Sequence, residues 1–101
     1  MSSDPALLKK GYPGVEIQPG ASIVGNCRID PSCQIGSQVV IAQEVVVCAG
    51  ARIYGEVVLE RDVNLRENIT LVGPLRVGKG AFLAPGVTVG WSRRREYRRV
   101  P

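Results

Sequence analysis

The feature that most constrains this chain is an aliphatic residue at every sixth position over most of its length. Thirteen successive hexads carry this marker without one inserted or deleted residue. The markers are Ile17, Ile23, Ile29, Ile35, Ile41, Val47, Ile53, Leu59, Leu65, Leu71, Val77, Leu83 and Val89. Self-similarity at a fixed short period is typical of solenoid proteins, in which each repeat stacks on its neighbours.

A second apolar column lies two residues before each marker. It comprises Val15, Ala21, Cys27, Cys33, Val39, Val45, Ala51, Val57, Val63, Ile69, Leu75, Ala81 and Val87. Two inward residues separated by one outward residue fit a short strand with one buried face, and they do not fit helical spacing. The sequence therefore predicts an all-β domain of short strands.

Turn-forming dipeptides separate the predicted strands, as at Pro19–Gly20 and Gly25–Asn26. Gly and Asn accept a positive φ, while Pro fixes φ near −65°. Each bend changes the direction of the chain by much less than a full reversal. Three bends are therefore expected to close a triangle. Residue i then lies beneath residue i+18, at the roughly 4.8 Å spacing of parallel strands. This geometry gives a prism of about four coils with three flat sides.

The hexads resemble those of the hexapeptide-repeat family, whose motif is an aliphatic residue, then Gly, Ala or an acid, two free positions, a small residue and one more free position. The resemblance covers about residues 15–90. It implies a left-handed parallel β-helix, although general rules for parallel crossovers favour the opposite hand. The family includes acyltransferases, carbonic anhydrases, domains appended to sugar nucleotidyltransferases and non-catalytic assembly subunits. The resemblance is therefore informative about fold and not about function.

We expect three segments: an N-terminal cap over residues 1–14, the repeat over residues 15–90 and a basic tail over residues 91–101. The net charge of the chain is +4. Lys and Arg balance Asp and Glu before residue 90, so the tail supplies the whole excess from five arginines and Glu96. The arginines are Arg93, Arg94, Arg95, Arg98 and Arg99. They form either a solvated terminus or an anion-binding site for a phosphate or an acidic partner.

The chain contains no histidine, which restricts the catalytic alternatives. The carbonic anhydrases of the family hold a metal with three His ligands, so that activity is excluded. The acyltransferases usually use His as a general base, and that base is also missing. The acidic residues nearest to a pair, Glu60 and Asp62, lie beside Arg61 and Arg66 and are expected to form a solvated ion-pair cluster. The sequence favours a protein without catalytic residues, metal or cofactor.

The cysteines and the hydropathy pattern bear on location. Cys27 and Cys33 fall in the inward column and are expected to be small buried residues, while Cys48 is expected to face outward. We predict a cytoplasmic protein without membrane contact. The number of cysteines is odd, no secretion signal follows Met1, and no apolar run approaches the about 20 residues that span a bilayer.

The outer sides of the prism are expected to differ in polarity. We number the sides in the order in which the chain meets them. Residues next to the markers point outward, and the first side is polar, whereas the second and third sides are partly apolar. The predicted interface consists of Val24, Val40, Ala42, Val46, Val58 and Phe82. A contiguous apolar surface on a small protein generally marks a contact site.

These observations predict a non-catalytic assembly or interaction module. Because hexapeptide-repeat proteins are usually trimers, the resemblance implies a homotrimer. The alternative is an acyltransferase-like or sugar-nucleotidyltransferase-associated β-helix whose arginine tail holds the phosphates of coenzyme A or a nucleotide. Specific nucleic-acid binding is not favoured, since no base-reading motif is present.

Overall fold

The computed structural model describes residues 11–90, and these residues form thirteen short parallel strands. Each hexad contributes one strand of two or three residues. The strands are β1 (Glu16–Ile17), β2 (Ser22–Ile23), β3 (Arg28–Ile29), β4 (Gln34–Ile35), β5 (Val39–Ile41), β6 (Val46–Val47), β7 (Arg52–Tyr54), β8 (Val57–Leu59), β9 (Asn64–Leu65), β10 (Thr70–Val72), β11 (Leu75–Val77), β12 (Phe82–Leu83) and β13 (Thr88–Val89).

The strands assemble into three parallel sheets that correspond to the three predicted sides. The first side has the order β1-β4-β7-β10-β13, the second β2-β5-β8-β11 and the third β3-β6-β9-β12. Every described pair joins residues eighteen positions apart, as in Ile35 with Ile53 and Val58 with Arg76. The predicted solenoid of about four coils is confirmed. The left hand of the coil stays an implication of the family resemblance.

The interior consists of the two predicted apolar columns. The central coils are closed most completely, and Ile41, Ile53, Leu59 and Leu71 have no exposed surface. No polar or charged residue within residues 11–90 is buried as a whole. Burial is less complete at the ends, where Cys27 and Ile29 of the first coil and the inward residues of the last coil other than Val77 are half-buried. Hydrocarbon packing is therefore the main stabilising contribution of this interior.

Most bends repeat one backbone conformation at a fixed hexad position. Positive φ recurs one residue before the inward small column at Gly14, Gly20, Glu44, Gly50, Asp62, Asn68, Gly80 and Gly86, and two residues before it at Gly25 and Gly55. Asn and Asp tolerate this left-handed conformation better than other residues with a Cβ. Stacked bends also bond to one another, since the N–H of Asn68 donates to the Ala49 carbonyl at 2.8 Å and that of Gly86 to the Glu67 carbonyl at 2.9 Å.

Residues 11–90 contain no helix with the length and apolar character needed to span a membrane.

We predict that Ile53→Ala lowers the free energy of unfolding by about 2–5 kcal/mol, because it leaves a cavity in a central coil that cannot collapse. Thr88→Ala, at an exposed outward position of the same sheet, is the matched control and should change the free energy by less than about 0.5 kcal/mol. Urea unfolding followed by circular dichroism measures both. Equal effects of the two substitutions would contradict the assignment of the interior.

A second prediction concerns the stacked backbone of the bends. Gly55 has a φ of 77°, and a Cβ there would lie 3.0 Å from the backbone nitrogen of Gly73 in the next coil. Gly55→Ala should therefore destabilise the fold by more than the about 1–2 kcal/mol of a left-handed residue alone. Gly78→Ala is the control, since a Cβ at Gly78 meets no atom within 4 Å. Its melting temperature should stay at the parent value or rise.

Candidate interaction surface

The second side presents two outward columns whose middle is aliphatic. Strand register stacks Ser22, Val40, Val58 and Arg76 in one column. Val24, Ala42, Glu60 and Gly78 occupy the neighbouring column, one residue after each marker. Val40 is 40% exposed, and Val24, Ala42 and Val58 are half-buried. The predicted apolar residues of this side therefore lie together on one flat surface, and Val40 is its most exposed aliphatic residue.

The aliphatic surface of the second side stops at charged groups near the last coil. The Arg76 guanidinium donates to the Glu60 carboxylate, and the backbone N–H of Lys79 donates to the same carboxylate at 3.1 Å. The hydrogen bond from Arg76, followed by that from Lys79, lowers the pKa of Glu60 below its ordinary value. Asp62 lies in a bend with a φ of 62°. Glu60 thus belongs to an ion pair, but the expected partners were wrong: Glu60 pairs with Arg76 of the next coil, and Arg66 pairs with Glu67 at 3.2 Å.

The third side carries the large hydrophobic residue with the greatest exposed fraction among residues 11–90. Register stacks Arg28, Val46, Asn64 and Phe82 in one outward column, and Phe82 is 62% exposed. Val46 is half-buried, as is Cys48 in the neighbouring column. Asn64 separates Val46 from Phe82, and its Oδ1 atom is shielded without a hydrogen-bond partner. The apolar surface of the third side is therefore interrupted in its middle.

The first side is polar, with Glu16, Gln34, Arg52, Thr70 and Thr88 in one outward column. It also carries Tyr54, an exposed aromatic residue that the sequence reasoning did not single out. Tyr54 is 39% exposed, and its hydroxyl donates to the Gln34 side chain. The sequence feature that indicates its exposure is its position directly after the marker Ile53, because that hexad position points outward.

A groove of about 600 Å³ lies on the third side beside the first coils. Its lining includes Tyr12, Cys27, Arg28, Asp30 and Cys48. The Asp30 carboxylate accepts hydrogen bonds from the Ser32 hydroxyl at 2.6 Å and the Ser32 backbone at 3.0 Å, which lower its pKa. The carboxylate is therefore held in a local turn and favours its ionised form, which is unsuited to a general acid near neutral pH.

The Cys27 and Cys33 thiols have surroundings unsuited to nucleophilic catalysis. Cys27 Sγ lies 3.1 Å from the Ala42 carbonyl oxygen, and Cys33 Sγ lies 3.1 Å from that of Cys48. Burial raises the pKa of both the Cys27 and the Cys33 thiol, which disfavours the reactive thiolate. Cys33 is buried as expected, whereas Cys27 is half-buried because it lies in the first coil. All three cysteines are free.

The predicted anion-binding arginines at positions 93, 94, 95, 98 and 99 lie outside the described residues. No cluster of His, Cys, Asp and Glu with metal-binding geometry occurs among residues 11–90. No protein-family model matches the sequence, and no curated protein sequence matches it. The exposed and half-buried apolar residues of the second and third outer sides form the candidate site.

A pH-dependent prediction follows from the Glu60–Arg76 pair. Because the pKa of Glu60 is lowered on folding, its stabilising contribution is present above the unfolded value of about 4.3 and is lost as the pH falls through the folded pKa. The melting temperature of Glu60→Gln should be slightly below that of the parent at pH 7, and the two should converge once the pH falls below the folded pKa of Glu60. Arg76→Gln should converge in the same way. A difference that stays constant with pH would contradict the pairing.

Proposed function

We propose that this protein is a non-catalytic assembly module of the hexapeptide-repeat type, and that copies associate laterally into a trimer through their second and third sides. The observation that carries this proposal is the flat aliphatic surface around Val40 and Val58 on the second side, which contrasts with the polar first side. A surface of this kind on a small protein favours association. The trimer is taken from the resemblance, whose family members usually form trimers.

A cyclic trimer requires two different surfaces on each copy, because each copy contacts its two neighbours through unlike patches. The second and third sides provide such a pair, since they are adjacent on the prism and both contain apolar residues. Rotation about an axis parallel to the solenoid leaves the height of every coil unchanged. Strands of the second side in one copy therefore meet strands of the third side in the next copy within the same coil.

Facing strands run antiparallel in this arrangement, because the chain winds in the same sense around every copy. In the second coil, Val40 and Ala42 face Val46 and Cys48 of the neighbouring copy, so apolar surface meets apolar surface. In the third coil, Glu60 faces Asn64, a polar residue of the neighbouring copy. In the fourth coil, Gly78 faces Phe82, so the exposed ring meets a surface that carries no side chain. This complementarity is the main structural support for lateral assembly.

The proposal places the assembled protein in the cytoplasm. Cys27, Cys33 and Cys48 are free thiols, and a reducing compartment keeps thiols in that state.

Val40→Glu and Cys48→Lys test this arrangement through complementary charges, because these two positions face each other across the proposed interface. Each substitution alone introduces an unpaired charge into the interface and should weaken association at least about tenfold, which corresponds to about 1.4 kcal/mol. The double variant should recover part of the association, because the introduced carboxylate of one copy then meets the introduced ammonium group of the next. Sedimentation equilibrium measures the mass as a function of concentration.

Thr70→Glu is the matched control, since Thr70 is a half-buried outward residue of the first side with an arginine neighbour in its column. It should leave the mass of the assembly unchanged. Circular dichroism confirms that each variant retains the solenoid. A parent protein that sediments as a monomer, or a Val40→Glu protein with the parental mass, would refute the proposed assembly.

A further inference from the structure

The second and third sides each carry a polar residue between small or apolar neighbours, and the two polar residues lie at the same height. On the second side, Glu60 lies between small residues of the adjacent coils. On the third side, Asn64 lies between Val46 and Phe82. Glu60 and Asn64 both belong to the third coil. The two interruptions of the apolar surface therefore coincide on the sides that meet in the lateral assembly.

Asn64 is a costly residue at its position within a single copy. Its Oδ1 atom is shielded from solvent and has no hydrogen-bond partner, and a shielded polar atom without a partner destabilises a fold. The Nδ2 atom of the same amide is not shielded in this way, and it donates no hydrogen bond within residues 11–90. The amide therefore presents a free donor on the outer surface of the third side.

The Glu60 carboxylate is held in place as an acceptor on the second side. The Arg76 guanidinium donates to its Oε2 atom and the Lys79 backbone N–H to its Oε1 atom, while 32% of the Glu60 side chain stays exposed. Each carboxylate oxygen has two lone pairs, so each can accept one further hydrogen bond. The charge of Arg76 compensates that of the carboxylate, which reduces the cost of burying Glu60 at an interface.

We propose that the Asn64 amide of one copy donates a hydrogen bond to the Glu60 carboxylate of the neighbouring copy, and that this contact fixes the height at which copies meet. The contact rests on the lateral assembly proposed above, in which these two residues face each other. They flank the bend over residues 61–63 that joins the second side to the third. This bend lies nearest the axis of the ring, so the pair is brought together in each of the three contacts.

The contact discriminates between a closed ring and an open fibre. When all copies lie at the same height, Glu60 faces Asn64 and the ring closes. A displacement by one coil places Glu60 opposite Val46 or Phe82, so that a carboxylate meets an apolar residue and the Asn64 amide loses its acceptor. The displaced contact repeats as a screw and produces a filament that does not close. A polar residue in an apolar interface specifies register in the same way in coiled coils.

Exchange of the donor and the acceptor tests the contact. Asn64→Asp places two carboxylates opposite each other and should weaken association of the full chain at least about tenfold at pH 7. Glu60→Gln keeps an acceptor opposite Asn64 and should weaken association by less. The double variant reverses the direction of the hydrogen bond and should associate at least about fivefold more tightly than Asn64→Asp. Sedimentation equilibrium measures each association constant, and circular dichroism confirms the fold of each variant.

Asn64→Val removes the donor without adding a charge. Glu60 then faces an apolar or small residue in every register, so the closed ring loses its advantage and species larger than a trimer should appear in sedimentation velocity. Thr70→Asp, on the first side, is the matched control and should leave association unchanged.

A trimeric parent would refute this contact alone under either of two results. In the first, Asn64→Asp and the double variant associate equally. In the second, Asn64→Val remains a single trimer. A parent that sediments as a monomer would refute the lateral assembly and the contact with it.

Discussion

The stacking of each residue on the residue eighteen positions away is the constraint on which the rest of the structure depends. It pairs the backbone of every coil with that of the next, and it places equivalent side chains of each hexad above one another. Ile35, Ile53 and Leu71 illustrate the result, since each is enclosed by the residue above and the residue below. Long-range contacts of this solenoid are thus contacts between neighbouring coils, and stability is distributed along its axis.

A core built in this way leaves little room for chemistry inside the molecule. The inward positions hold hydrocarbon or thiol side chains, and a polar residue there would lack a partner in both adjacent coils. Functional groups are therefore confined to the outer sides, the bends and the two ends. On flat sides of short strands, neighbouring side chains stand about 4.8 Å apart in straight columns. Such columns suit recognition of another regular surface better than enclosure of a small substrate.

The sequence predicted the inward columns, the eighteen-residue register and the bends, because these follow from periodicity and from residues with unusual φ preferences. It predicted less about the outer surface. The pairing of Glu60 with Arg76 depends on long flexible side chains in different coils, and the contact of Tyr54 with Gln34 likewise joins residues far apart in sequence. The half-burial of Val58 depends on neighbouring side chains and that of Cys27 on its distance from the N-terminal end of the solenoid, and hexad position alone encodes neither.

The distinct character of the three sides restricts how a protein of this kind can change in length. An insertion of one residue within a strand would turn all later inward residues toward solvent. An insertion of six residues would preserve the alternation and yet shift each subsequent strand to the next side, so that valine columns would continue into polar ones. Only a duplication of eighteen residues extends every column with residues of the same type. Elongation by whole coils, and loops confined to the bends, are therefore the changes in chain length that such an architecture accommodates.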